Sequence, residues 1–396
     1  MKKLKNLLKR LSRWEYSWLC LLVVIVTAMH FSIIMLPDKP VFDEAHYIND
    51  ARAILEGKED IRPEHPTLSK DFIVAGMRLF GDNPLGWRFF PVILGIISII
   101  LMYLICRQLS MSRRTSFLAT FLLAFENLTF TFSGMAMLDV PCMTFTLLAF
   151  WLYLRGNYPL SGVAVGLSAL AKLNGALAIV AILLHWLIVR RDRVWEFVGL
   201  VIFAPISFVF LMPLSDFFTF GRFTNPLERI FYMLKQSSIL TFTSITNAPY
   251  AQKPIEWIFR FDATPYTFNP NYLGVISYSV LVLIVPSVVY MLIRAIKHSD
   301  AGLFGILWFT ATYLTWIPGV LITDRITYPY YIYPTIGSIC IGLGMGLSQL
   351  WRIWETRRSG KRRWVAISGI GIFLLLHIAA FVILSPLSYW FRTSVF

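Results

Sequence analysis

Charge is scarce in this sequence. Only 15% of its 396 residues are charged, 57% are hydrophobic, and the mean hydropathy is +0.64. A soluble domain carries roughly 25% charged residues, so too little polar surface exists here to keep a globule in water. Cysteine is also scarce. The four present (Cys20, Cys106, Cys142 and Cys340) all fall inside apolar runs, which excludes a disulfide framework and leaves them as small packing residues. Short alternating segments are missing, which excludes a β-barrel. No glycine-rich phosphate loop occurs, since Gly342-Leu343-Gly344-Met345-Gly346 reads as a membrane-helix packing motif. No His/Cys cluster has metal-ligand spacing, and no serine nucleophile elbow is found. The basic Lys2–Arg13 run lacks a small-residue cleavage pattern downstream, so the sequence predicts a retained first helix rather than a signal peptide. The sequon Asn127-Leu128-Thr129 lies too close to the predicted bilayer to accept a glycan.

What the chain does have is long apolar runs, many near the roughly 20 residues that cross a hydrocarbon core. Trp18–Leu36 and Trp364–Leu384 are apolar all round. A backbone in lipid must satisfy its own hydrogen bonds, so these runs read as helices. The predicted spans are 17–36, 87–106, 115–132, 140–154, 159–172, 175–189, 195–213, 272–293, 301–318, 331–350 and 364–385. This is an all-α polytopic membrane protein of about eleven helices, one transmembrane domain over 1–396. With the N-terminus in the cytoplasm, the cytoplasmic segments hold 21 Lys/Arg against 5 Asp/Glu, and the rest 15 against 17. The differences, +16 and −2, account for the net +14 and express the positive-inside rule. A nucleic-acid footprint would instead be a basic face on a soluble module. Two non-cytoplasmic loops are long, 37–86 and 214–271. The first carries helical spacing over His46–Glu56 and Leu68–Phe80, expected to lie in the membrane interface. The second is rich in aromatics, which suit either interfacial anchoring or the stacking of a sugar or acceptor.

Asp43-Glu44-Ala45-His46-Tyr47 begins seven residues beyond the first span, behind Pro37 and Pro40. Adjacent carboxylates are often no more than a solvated edge, but this pair is held near the bundle by the helix that follows. A carboxylate there can accept a proton from a hydroxyl or ligate a divalent cation. Asp139 interrupts apolar sequence at a cost of about 2.5–3.5 kcal/mol, the price of an aspartate in hydrocarbon, and such residues usually face a wet cavity. The alternation of spans places Asp139 and Lys172 on the same side as Asp43. Arg62, His65, Lys70, Arg88 and Arg325 gather there too. Each alone can snorkel to headgroups; as a set they suit an anionic lipid phosphate.

In their order along the chain, these motifs resemble the protein O-mannosyltransferase family of polytopic, GT-C-type glycosyltransferases. Phe42-Asp43-Glu44-Ala45-His46-Tyr47 is similar to the family's acidic motif after the first helix. His65-Pro66-Thr67-Leu68-Ser69-Lys70 is similar to its His-Pro-Pro-Leu-Gly-Lys segment. Trp87-Arg88-Phe89-Phe90-Pro91 with Gly95 resembles the start of its second helix, and Met137-Leu138-Asp139 its Leu-Leu-Asp motif. Gly166-Leu167 through Lys172 and Gly175 resemble its lysine-bearing helix, and Arg325 through Pro334 its late arginine-aromatic-proline stretch. Tyr250-Ala251-Gln252-Lys253-Pro254-Ile255-Glu256-Trp257 is a looser match to its large-loop motif. Gly134 stands where an arginine is usual, Tyr331 and Tyr333 stand near a usual histidine, and the second loop is too short for the soluble β-trefoil insert of eukaryotic members. That shortness points to a prokaryotic, archaeal-type enzyme.

The resemblance implies transfer of a hexose, mannose in the first instance, from a polyprenyl- or dolichyl-phosphate donor to a protein Ser/Thr hydroxyl with inversion. It implies Asp43 as the base and Glu44 as its helper, with Lys70, Arg88 and Arg325 on the donor phosphate. His65, Asp139, Lys172, Tyr250 and Trp257 would position the acceptor. No protein metal site is expected, although a divalent cation remains open. The expected location is the cell membrane, with the site on the non-cytoplasmic face. The same donor with a glycan or lipid acceptor is the nearest alternative. A lipid or sugar transporter is the alternative of another class, and would show inverted repeats and helices broken at mid-membrane.

Overall fold

The computed structural model describes residues 15–58, 62, 64–189, 191, 193–245, 247–356 and 360–392. Helices dominate: α1 Ser17–Ile33, α2 Asp43–Leu55, α3 Leu68–Phe80, α4 Pro84–Gln108, α5 Arg113–Ala124, α6 Asn127–Ser133, α7 Asp139–Leu154 and α8 Tyr158–Ala171. After a 3-10 turn over Leu173–Leu177 come α9 Ala178–Val189, α10 Val194–Phe220 and α11 Pro226–Ser238. A hairpin of β1 Thr264–Phe268 and β2 Asn271–Gly274 precedes α12 Tyr278–Leu281, α13 Ile284–Ile296, α14 Asp300–Phe309 and α15 Trp316–Thr323. A 3-10 segment, Pro329–Thr335, leads into α16 Ile336–Thr356, then α17 Lys361–Leu384 and α18 Ser388–Arg392.

Ten of the eleven predicted spans coincide with a helix or with joined helices. Among the described residues, five helical stretches are long and apolar enough to cross a membrane: Pro84–Gln108, Val194–Phe220, Asp300–Thr323, Pro329–Thr356 and Lys361–Leu384. The pair α5 and α6 passes the same test together, bent by 64°. The bend has a local cause. Glu126 caps α6, accepting from the amides of Leu128 (3.1 Å), Thr129 (2.7 Å) and Ser277 (2.8 Å), so the freed backbone donors are satisfied inside the protein. Asn127 is fully buried and bonded to the Leu273 and Val275 carbonyls, which takes the sequon out of reach.

The eighth predicted span, 272–293, departs from expectation. Its first residues form β2, and helix resumes only at α12 and α13. Tyr272, Val275 and Ile276 are buried, and a short buried strand has the same continuous apolar signature as a helix. The interfacial segment predicted over Leu68–Phe80 is α3, residue for residue, and the one predicted over His46–Glu56 starts three residues earlier, at Asp43. Helices α8 and α10 pack backbone to backbone: a Cβ on Gly162 would sit 2.5 Å from the Leu200 carbonyl oxygen. That close approach is the small-residue mode of membrane-helix packing.

Candidate functional site

The site assembles where the start of α2, the loop before α3, the end of α8 and the 3-10 segment ahead of α16 meet. Phe42, at φ 52°, sits in the left-handed region just before α2, which is unusual for a bulky residue. Its ring is held by stacking on Tyr266 (3.8 Å between centroids). This turn puts Asp43 and Glu44 in the first turn of α2, where the helix dipole favours carboxylates.

The two neighbouring acids have different fates. Asp43 is half-buried, and its Oδ2 accepts a hydrogen bond from the Tyr330 hydroxyl at 2.8 Å. Burial pushes the Asp43 carboxyl above its usual range, opposed by the Tyr330 bond and the Lys172 charge. Glu44 is fully buried and its Oε1 receives Arg88 Nη2 at 2.8 Å and Nε at 3.1 Å. The remaining Arg88 Nη1 donates to the carbonyls of Ile34 (3.1 Å), Leu36 (2.9 Å) and Pro37 (2.9 Å). Arg88 therefore ties the exit of α1 to the start of α2.

Lys70 is sealed in the same way. It is fully buried, with Nζ 3.1 Å from Asp50 Oδ2 and donating to the Arg62 carbonyl at 2.9 Å. Asp50 also holds Arg62 at 2.7 Å. The sequence reading did not single out Asp50. Its signal was its place seven residues after Asp43, two turns along one face of α2.

A second ion pair lies buried at the edge of a cavity. Lys172 Nζ lies 2.8 and 2.9 Å from the Asp139 carboxylate oxygens, and 5.0 Å from the centre of the Tyr331 ring. It lines a cavity of about 360 Å³, together with His65, Arg325, Tyr331, Trp316 and Leu234. His65 is held well below its ordinary pKa, by burial first and then by Lys172, Lys70, Arg325 and Arg62, so it stands neutral at pH 7. Arg325 is half-buried, and its guanidinium donates to the Ser237 carbonyl at the end of α11. Trp257 stands one layer behind, buried, with ring centroids 6.1 Å from Trp316 and 6.2 Å from Tyr331. Tyr250 is exposed and does not line this cavity.

A polar network ties the start of α3 to α10 and α11. Ser215 and Thr219 each donate to Asp71 at 2.5 Å, Thr67 donates to Asp216 at 3.1 Å, and Arg229 of α11 lies 3.8 Å from Asp216. Burial raises Asp71 to about 6, against those two hydroxyl bonds and with the Asp216 charge adding to the rise. Tyr330, the partner of Asp43, escaped sequence reading because it stands in Tyr328-Pro329-Tyr330-Tyr331-Ile332-Tyr333, where every tyrosine passes for an interfacial aromatic. Among the described residues no three His, Cys, Asp or Glu side chains are grouped to hold a metal ion.

Residues 64–215 match the family model for dolichyl-phosphate-mannose-protein mannosyltransferases. The chain is similar to a polyprenol-phosphate-mannose–protein mannosyltransferase of Mycolicibacterium smegmatis, 37% identical over 118 residues, which is 28% of this chain and 23% of that relative. By fold it resembles the protein O-mannosyltransferase Pmt1-Pmt2 complex of S. cerevisiae bound to its sugar donor. That likeness has a TM-score of 0.73 at 13% identity, over 93% of this chain and 90% of the other. It also resembles ArnT from Cupriavidus metallidurans bound to undecaprenyl phosphate, with a TM-score of 0.63 at 16% identity, over 94% and 76% of the two chains. The fold is that of the GT-C membrane glycosyltransferases, and the chain is a multi-pass membrane protein whose 64–215 segment carries the sequence pattern of protein O-mannosyltransferases.

Proposed function

With that fold and that segment as premise, we propose that the protein transfers mannose from a polyprenyl-phosphate donor to a Ser/Thr hydroxyl of a protein, with inversion at the sugar carbon. The observation that carries this reading is the company Asp43 keeps. A partly buried carboxylate, oriented by Tyr330, lies within the electrostatic reach of Lys172, and Lys172 shares one cavity with Arg325 and neutral His65.

In the reaction, the acceptor oxygen attacks C1 of the sugar from the face opposite the phosphate. The C1–O bond to phosphate breaks, its electron pair leaves with the polyprenyl phosphate, and the hydroxyl proton passes to Asp43. A base within hydrogen-bond reach contributes roughly 10²–10⁴-fold. Lys172 and Arg325 stabilise the phosphate as negative charge builds on it, and Asp139 keeps the Lys172 ammonium aimed into the cavity. Glu44, Arg88, Asp50 and Lys70 act one step back. They fix the start of α2, and hence the Asp43 carboxylate, rather than touching the donor. Trp257 supports the aromatic wall. Tyr250, on the exposed part of the second loop, is assigned to acceptor contact. A divalent cation is not required by this arrangement, and the test includes chelator. The cavity end of the bundle is assigned to the non-cytoplasmic face, with the N-terminus in the cytoplasm, on the strength of the Lys/Arg asymmetry.

The test is reconstituted protein incubated with labelled polyprenyl-phosphate mannose and, separately, a Ser/Thr-rich peptide, an oligosaccharide and a phospholipid, with and without EDTA. Label is expected on the peptide in both conditions. Label on the lipid or the glycan would move the acceptor, and label on none of the three would overturn the transferase reading in favour of a carrier.

A further inference from the structure

At the far end of α16 from this cavity, the helix forms a second cleft with the starts of α1 and α5. From Ile336 to Arg352 the helix advances about 24 Å, at 1.5 Å per residue, so the two openings serve opposite membrane faces. The cleft encloses about 720 Å³ and is lined by Trp18, Arg113, Arg114, Trp351, Arg352 and Glu355, among others. We infer that it binds the headgroup of an anionic phospholipid.

The cleft is firmly walled. Thr115 donates to Ser348 at 2.8 Å across its base. Just below, α5 and α16 touch so closely that a Cβ on Gly344 would stand 2.8 Å from the Ala119 methyl. Its charge is unbalanced. Three arginines face one carboxylate, and Glu355 is fully engaged by Arg114 through contacts of 2.9 and 2.8 Å. Arg114 in turn lies 4.9 Å over the Trp351 ring. Arg113 is half-buried and braced on the Ser17 hydroxyl at 2.5 Å. Arg352 is exposed, and its guanidinium has no partner among the described residues. A phosphodiester meets both needs, since its oxygens accept charge-assisted bonds and its charge offsets the excess.

The remaining wall says that the phosphate arrives on a lipid. Trp18, 49% exposed, stands at the rim with its ring 6.2 Å from Phe117. Leu21 and Ile25 continue the exposed apolar track down the same face of α1. A headgroup among the arginines would lay an acyl chain along that track. Basic pockets between helices at a membrane face are the usual form of such lipid sites.

The full chain, purified in detergent, would be titrated with phosphatidylglycerol and with phosphatidylcholine of identical acyl chains, and bound lipid counted by native mass spectrometry. Phosphatidylglycerol is expected to bind at least ~10-fold more tightly than phosphatidylcholine, with Arg352→Gln and Arg113→Gln each weakening it about 5-fold, the loss expected for one basic residue near a membrane surface. Arg155→Gln removes an arginine stacked on Trp151 outside the cleft, and should change nothing. Arg352→Gln should melt as the parent does, which separates lost binding from lost fold. Equal binding of the two lipids, or an equal loss in Arg155→Gln, would reduce the cleft to unspecific attraction and overturn the proposal. Release of the lipid by millimolar inorganic phosphate would overturn it too, by making this a site for free phosphate.

Discussion

Two acid–base groups lie at the same end of the bundle, and residue type does not tell them apart. One is the sealed set, Glu44 with Arg88 and Asp50 with Lys70, whose side chains are all wholly buried. The other is the open set, Asp43 with Tyr330 and Asp139 with Lys172, of which Lys172 lines a cavity shared with Arg325. In the sealed set each cation has spent its donors on a carboxylate and on backbone carbonyls, so what it contributes is position. In the open set Asp139 and Lys172 are buried too, but Lys172 lines the cavity and Asp43 is only half-buried, which leaves these two within reach of a substrate. Adjacent residues of one helix, Asp43 and Glu44, belong to different sets because Asp43 stays half-buried against Tyr330 while Glu44 is wholly buried against Arg88.

The sharpest way to break this division is Asp43→Asn. If Asp43 is the base, transfer should fall by about 10²–10⁴-fold with the melting temperature unchanged. Normal turnover in that variant would remove Asp43 from the chemistry. Arg88→Ala should do the reverse and cost about 3–5 kcal/mol of stability, as expected when one partner of a buried pair is left behind. Thermal unfolding in detergent would measure it. An Arg88→Ala protein that melts normally yet fails in transfer would move Arg88 into the open set.

Arg325→Gln should lower kcat by about 10²-fold, the scale of losing one donor to developing charge, with little change in melting. Tyr330→Phe should have a smaller effect and a more specific one. The tyrosine bond holds Asp43 down against burial, so its loss raises the Asp43 pKa further. The acidic limb of the pH–rate profile, where the base becomes protonated as pH falls, should therefore move to higher pH. A limb that stays in place would mean that another group titrates there. The smallest effect concerns Asp71, whose folded pKa of about 6 lies above its ordinary 3.8. A raised acid stabilises the fold fully below 3.8 and loses that contribution as pH rises through about 6. Asp71→Asn should flatten the dependence of melting temperature on pH across that window.

Much of the fold was legible because lipid imposes a simple rule: apolar length means helix. Residues 272–276 broke the rule because β2 and the residues after it are largely buried in protein, where a strand can satisfy its backbone as well as a helix can. The site was legible as a set of motifs but not as a division of labour. Nothing local to Arg88 announces that its partner is Glu44, 44 positions away, or that Lys70 answers to Asp50. Lys172 was readable as an ionisable group beside an apolar helix, but its pairing with Asp139 depends on how α7 and α8 pack. Tyr330 was hidden by its neighbours, since only contact with Asp43 distinguishes it from Tyr328 or Tyr333.

The bond between Tyr330 and Asp43 joins residues 287 positions apart. During synthesis Asp43 is among the early residues to leave the ribosome, while Tyr330 follows only after most of the bundle has been inserted. A nascent or truncated chain thus carries the acid without its partner and without the wall around Arg325. Under the proposed function, the catalytic arrangement is complete only once these late segments are in place.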